Sequence, residues 1–139
     1  MKKKYVPNSL SPSDKIQQYD SIMKSRKAYK KGIYLDRPRV QSFQGRPSRH
    51  VRRAKQKYNL NTFTLNEELA KKTKCSLTAL RQIFKKGQGA FYSSGSRPNQ
   101  TSYSWATARV ASAITGGKAA IVDKDILLRG CHPDSPVFF

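Results

Sequence analysis

Between Thr64 and Gly87 the apolar residues fall three or four positions apart, and the pattern breaks once, at Thr73-Lys74-Cys75-Ser76. Leu65, Leu69 and Ala70 lie before the break, and Leu77, Leu80, Ile83 and Phe84 after it. That period belongs to helices and excludes strands. Thr64-Leu65-Asn66-Glu67 reads as a capping box, in which Glu67 reaches back to the Thr64 backbone. Ser76 reads as the cap of a second helix that continues to Gly87. Two short helices joined by so tight a turn form an αα unit.

The offsets of this unit resemble those of the DNA-binding helix-turn-helix family. Ala70 is the small residue at the helix crossing, Leu69 stands before it, Cys75 sits in the turn, and Leu80 and Ile83 lie in the second helix. Lys74 departs from the family, which usually has glycine there. The resemblance implies that Thr78, Arg81, Gln82 and Lys85 face a groove if DNA is bound.

The rest of the chain reads as mainly α. The expectation is an extended basic N-terminal arm (1–60) followed by a small helical domain (61–130) that contains the hairpin, then a loop-like tail (131–139). In the arm, Ser11 can cap a helix that Pro12 and Asp14 begin and Gly32 ends. Ile16, Tyr19, Ile22, Met23 and Tyr29 form its expected apolar stripe. Pro38, Gly45 and Pro47 mark a basic linker, and Ser48 begins a short helix with Val51, Ala54 and Tyr58 on one face. Residues 87–103 read as a structured loop because Gly87, Gly89 and Gly95 sit among serines. A further helix is expected from Ser102 or Ser104 to Ile114, with Trp105, Ala108, Val110, Ala111 and Ile114 inward. Ala119–Val122 reads as a short strand or more helix.

Charge sets the function class. The net charge is +20 over 139 residues. Residues 1–60 hold 17 Lys/Arg and 3 Asp/Glu, and residues 61–139 hold 11 and 5. Such an excess repels itself unless a partner supplies the opposite charge. Nucleic acid, an acidic protein surface and an anionic membrane face all qualify, and nucleic acid is the commonest. The polyanion- or partner-binding candidates are Lys24, Arg26, Lys27, Lys30, Lys31, Arg37, Arg39, Arg49, Arg52 and Arg53.

Catalytic, metal and cofactor sites are not expected. Cys75 and Cys131 match no metal spacing and read as two reduced thiols. His50 and His132 are isolated, and Asp123 and Asp125 would not share a helix face. Gly116-Gly117-Lys118 lacks the upstream glycine and downstream Ser/Thr of a phosphate-binding loop. A phosphate-handling enzyme around Arg97 and Lys118 is therefore a weak alternative, and no small-molecule ligand is expected. Trp105, Arg109 and Asp123 read as structural, with Arg109 either stacked on Trp105 or paired with Asp123 or Asp125. No apolar run approaches the ~18 residues needed to span a bilayer. Met1-Lys2-Lys3-Lys4 has no apolar stretch behind it and does not read as a secretory signal.

Four short motifs occur in order after residue 84: Lys86-Gly87, Gly95-Ser96-Arg97-Pro98, Trp105-x-x-x-Arg109 and Asp123-x-Asp125-Ile126. As a set, with Gly116-Gly117-Lys118-Ala119 between them, they resemble a small domain family of large DNA viruses of algae and amoebae, present also in some phages. The basic stretch Lys24–Gly32 is similar to relatives from giant viruses. The resemblance covers most of the chain but leaves out 1–12 and 130–139, and it brings no catalytic residue. It implies a non-enzymatic, virion-associated structural protein, a minor capsid component whose arm bridges capsid proteins or viral DNA. The implied location is the virion, and the host cytoplasm or nucleus during infection. The alternative is a helix-turn-helix-like DNA-binding or genome-compacting protein.

Overall fold

A computed structural model describes residues 1–139. The fold is mainly α, as expected. Its helices are α1 (Pro12–Lys30), α2 (Arg49–Lys57), α3 (Glu67–Thr73), α4 (Leu77–Ser93), α5 (Ser102–Ile114), α6 (Lys118–Val122) and α7 (Lys124–Gly130), followed by a 3-10 turn at Pro136–Phe138. The chain divides into two compact units, one of residues 1–46 and 88–105, the other of residues 47–87 and 106–139.

In the first unit the expected extended arm is not shown. Residues 1–46 fold together with 88–105. Ser11 caps α1 through the Asp14 N–H at 3.2 Å, with Pro12 in the first turn. The helix ends at Gly32 in a Schellman arrangement: the Ile33 N–H donates to Ala28 O (2.9 Å) and the Gly32 N–H to Tyr29 O (3.0 Å). Gly32 takes φ +76°, which a residue with a side chain rarely adopts.

The inward face of α1 is not the apolar stripe. Gln18, Ile22 and Ser25 are buried at i, i+4 and i+7, while Ile16 and Tyr19 are exposed. The cause lies in the partners. Gln18 donates to Ser96 O (3.3 Å) and Ser25 to Tyr92 O (3.0 Å), so buried polar groups are satisfied by the last turn of α4 and the segment after it. Residues 33–46 have no helix or strand, yet Val40 is buried. Asn99 holds it from both sides: its Oδ1 accepts the Val40 N–H (2.8 Å) and its Nδ2 donates to Val40 O (3.0 Å).

The glycine-rich stretch is not a loop from Gly87 onward. Helix α4 runs through Gly87 and Gly89 to Ser93. Gly95 carries the turn instead, at φ +142°, where a Cβ would lie 2.8 Å from the Tyr5 ring.

The second unit has an ordinary apolar core. Leu69, Leu80, Ile83, Val110, Ile114 and Leu127 are all nearly inaccessible. Ser48 caps α2, and Val51, Ala54 and Tyr58 turn inward as expected. Burial pushes the Tyr58 phenol well up, and its hydroxyl donates to Ile114 O. Gly87 lies where a Cβ would meet the Ala106 Cα at 2.7 Å, which explains a glycine inside a helix. Helix α5, whose first turn belongs to the first unit, begins with a reciprocal cap, in which the Thr101 and Ser104 side chains each accept the other's N–H at 3.0 Å. Ala119–Val122 is helical.

Two expectations need correction here. Cys75 and Cys131 are joined in a disulfide, not reduced. The spacing of 56 residues gave no sign of this, because an antiparallel bridge between the same two residues brings them together only in the fold. The cap of α3 is Asn66, not Thr64: Asn66 Oδ1 accepts the Leu69 N–H at 3.0 Å from an extended backbone. The helix therefore starts at Glu67, and both Glu67 and Glu68 stand in its positive first turn.

Candidate nucleic-acid interface

The turn between α3 and α4 is built by backbone bonds. The Cys75 N–H donates to Ala70 O (3.2 Å) and the Lys74 N–H to Lys71 O (3.3 Å). Lys74 takes the left-handed conformation, φ 54° and ψ 36°. It thus adopts the backbone shape for which the helix-turn-helix family uses glycine. Thr73 is buried and donates to Leu69 O (2.8 Å).

The C-terminal segment locks this turn. The Ser76 N–H donates to Gly130 O and the His132 N–H to Lys74 O, both at 2.8 Å. The Ser135 hydroxyl donates to Thr73 O. A Cβ at Gly130 would lie 2.2 Å from the Ala79 Cβ, so only glycine lets the chain pass so close to α4. The Cys75–Cys131 disulfide adds a covalent tie at the same place.

From the locked turn α4 presents two faces. Ala79, Leu80, Ile83 and Gly87 face the core. Thr78, Arg81, Gln82 and Lys85 are all exposed, at i, i+3, i+4 and i+7. That spacing gathers them on one face of the helix. Lys71 and Lys74 are exposed on α3 and the turn. The four groove-facing candidates are therefore brought together, with donors and acceptors suited to base edges and cations suited to phosphates.

Elsewhere the basic candidates divide. Lys24, Lys27, Lys30 and Lys31 are exposed on α1 and its C-cap, and Arg49, Arg52 and Arg53 on α2. Arg39 is exposed beside a hollow lined by Ser11, Ser13, Asp14, Gln17, Gln41 and Ser42. In that hollow the Ser42 hydroxyl and N–H donate to Asp14 and hold its carboxyl below the ordinary range.

Arg26 and Arg37 are not free surface cations. Arg26 Nε donates to Ser94 O at 2.8 Å. Arg37 donates to Phe91 O (2.9 Å), Ser96 Oγ (2.7 Å) and Ser25 Oγ (3.3 Å), and its guanidinium lies 3.7 Å from the centre of the Phe91 ring. Burial lowers its pKa to about 10. A cation seated on an aromatic ring and bonded to carbonyls organises a core, and no periodicity in the sequence announces it.

Of the structural candidates, Asp123 takes Arg109. Arg109 Nε and Nη2 each donate to one Asp123 oxygen at 2.8 Å, and Lys86 Nζ adds a third bond at 2.8 Å. Burial alone would raise the Asp123 carboxyl, but the bonds from Arg109 and Lys86 outweigh it and hold the pKa below its ordinary value. Lys86 is the member the sequence reading missed, since nothing in its spacing ties it to Asp123. Trp105 is half-buried, edge-on to Tyr5 at 6.1 Å. Arg97 and Lys118 are exposed and fall in different units.

Fold and site together define an all-α basic protein with a helix-turn-helix-like hairpin. The chain belongs to a protein family of unknown function, DUF5824, which it matches over residues 2–129, taking in the first residues that the viral resemblance leaves out. No curated protein and no solved structure matches it. No helix is long and apolar enough to cross a membrane.

Proposed function

We propose that the protein acts by binding nucleic acid, without catalysis, and that α4 is the element it presents to duplex DNA. The observation that carries this reading is the exposed face of Thr78, Arg81, Gln82 and Lys85, which follows a turn in the left-handed shape at Lys74. Charge supports it: the first unit holds 13 Lys/Arg and 3 Asp/Glu and the second 15 and 5, so each has a net charge of +10. Three of the second unit's five acids have structural duties, while Asp125 and Asp134 are exposed. Glu67 and Glu68 favour the start of α3, and Asp123 is bonded to Arg109 and Lys86.

Fluorescence anisotropy with a labelled duplex tests this. The affinity falls linearly with salt on a log–log scale, with a slope of about −0.9 per phosphate neutralised. Arg81→Ala and Gln82→Ala each weaken the best site by about 1–3 kcal/mol and relax sequence preference. Affinity that does not change with salt, or with either substitution, would sink the reading.

A second reading, the virion-associated structural protein, is favoured by exposed apolar side chains in the second unit. Ile121, Val122 and Leu128 are all more than half exposed, and Phe139 is 87% exposed. Surface of this kind suits a protein neighbour such as a capsid subunit. If mass spectrometry of purified virions finds no copy of the chain, this reading is removed.

A further inference from the structure

Three tyrosines of the first unit form a cluster that the duplex-binding reading does not use. Tyr29 and Tyr92 lie nearly parallel, 11° apart with centroids 6.1 Å apart. Tyr34 leans on both, 5.8 Å from Tyr29 and 5.2 Å from Tyr92. Gly89 makes room beneath: a Cβ there would meet the Tyr29 hydroxyl at 3.3 Å.

The outer ring is left open to solvent. Tyr34 is 66% exposed and the neighbouring Ile33 51%. Its backbone is not loose, because the Schellman bonds at Ala28 and Tyr29 fix residues 31–33 directly before it. An aromatic ring is thus held in place with its surface uncovered. Lys27, Lys30 and Lys31 are exposed on the same stretch of chain, at the C-terminal end of α1. Asp36 is the nearest acid in sequence, and the unit as a whole is strongly cationic.

Charge and ring together select an occupant. An acidic peptide would use the lysines, but its carboxylates gain nothing from the negative face of the ring. A nucleic-acid strand with unstacked bases uses both, since bases stack on aromatic side chains while lysines track the backbone. Paired bases in a duplex offer no free face to the ring.

We infer that Tyr34, backed by Tyr29 and Tyr92 and within four residues of the exposed Lys30 and Lys31, forms a stacking site for single-stranded nucleic acid. It lies in a different unit from the α4 face and does not depend on it.

The test is anisotropy with labelled oligothymidine of about 12 nucleotides, within the length that such platforms engage. The full chain carries Tyr34→Ala or Tyr34→Phe, and circular dichroism checks that helix content is unchanged. Tyr34→Ala is expected to weaken oligothymidine binding by about 5- to 100-fold. Tyr34→Phe keeps the ring and is expected to restore most of the affinity. Lys30→Glu with Lys31→Glu flattens the salt dependence. Wild-type protein that fails to bind oligothymidine overturns the inference. So does a Tyr34→Ala protein that binds as wild type, or a Phe variant as weak as the Ala variant. A duplex measured in parallel separates the two sites: its affinity responds to Arg81→Ala, and a failure there leaves the oligothymidine result standing.

Discussion

Replacing Asp123 with asparagine keeps the size of the side chain and removes its charge. Its side chain is fully buried and accepts three hydrogen bonds from two cations. The two cations differ. Lys86 is half-exposed, so water screens it and its pairing contributes at most about 1 kcal/mol. Arg109 is 20% exposed and bidentate. Without the carboxylate it is left as a largely buried, uncompensated charge, a situation that costs about 3–5 kcal/mol. Partial exposure of Arg109 places the expected loss near the lower end, about 3 kcal/mol. For a chain of this size that is a fall in Tm of about 10 °C. Urea unfolding followed by circular dichroism measures it, with Lys86→Met as the comparison that loses about 1 kcal/mol or less.

The sign with pH follows from the lowered Asp123 pKa. The carboxylate's contribution is complete above its unfolded value of about 3.9 and is lost as pH falls through the folded one. Wild type therefore sheds this stability in acid, and Asp123→Asn does not. An Asp123→Asn protein within about 0.5 kcal/mol of wild type at pH 7, a change typical of an ordinary surface substitution, would refute the argument.

Further outcomes concern packing, the crosslink and the first unit's core. Gly87→Ala drives a methyl into the Ala106 backbone and is expected to lower stability by about 1–3 kcal/mol in the same urea assay, despite alanine's better helix propensity. Reducing Cys75–Cys131, or replacing both with serine, frees a span of 56 residues and is expected to cost about 4 kcal/mol by chain entropy. Mass spectrometry after alkylation, with and without reductant, reports whether the bond is present. Arg37→Lys keeps the charge but loses the fork that reaches Phe91 O and Ser96 Oγ. It is expected to cost about 1–3 kcal/mol, seen as faster hydrogen exchange in residues 33–46.

What the sequence disclosed follows from where the relevant information lies. The α3–α4 hairpin, the Ser11, Ser48 and Ser76 caps and the stop at Gly32 are local, and a few adjacent residues determine each. The face of α4 was legible for the same reason, because helical spacing alone places Thr78, Arg81, Gln82 and Lys85 together. The remainder depends on residues distant in sequence. Gly87 looks like loop punctuation until Ala106 is known to pass beside it. The inward face of α1 is hidden because Gln18 and Ser25 are polar, and only the carbonyls of Ser96 and Tyr92 make their burial acceptable. Arg37 reads as one more surface cation because Phe91 and Ser96, its shortest partners, lie more than fifty residues away. The disulfide and the Lys86–Asp123 bond are of the same kind.

Lys74 gives the hairpin one further property. A lysine at φ 54° occupies a backbone shape that costs an L-residue about 1 kcal/mol, and glycine would relieve that cost. The chain therefore holds a cation, in the turn that leads into α4, at a position where glycine would relieve backbone strain. Two demands meet at that one position, the conformational ease of the turn and the positive potential beside the helix that follows, and the residue found there satisfies the second at the expense of the first.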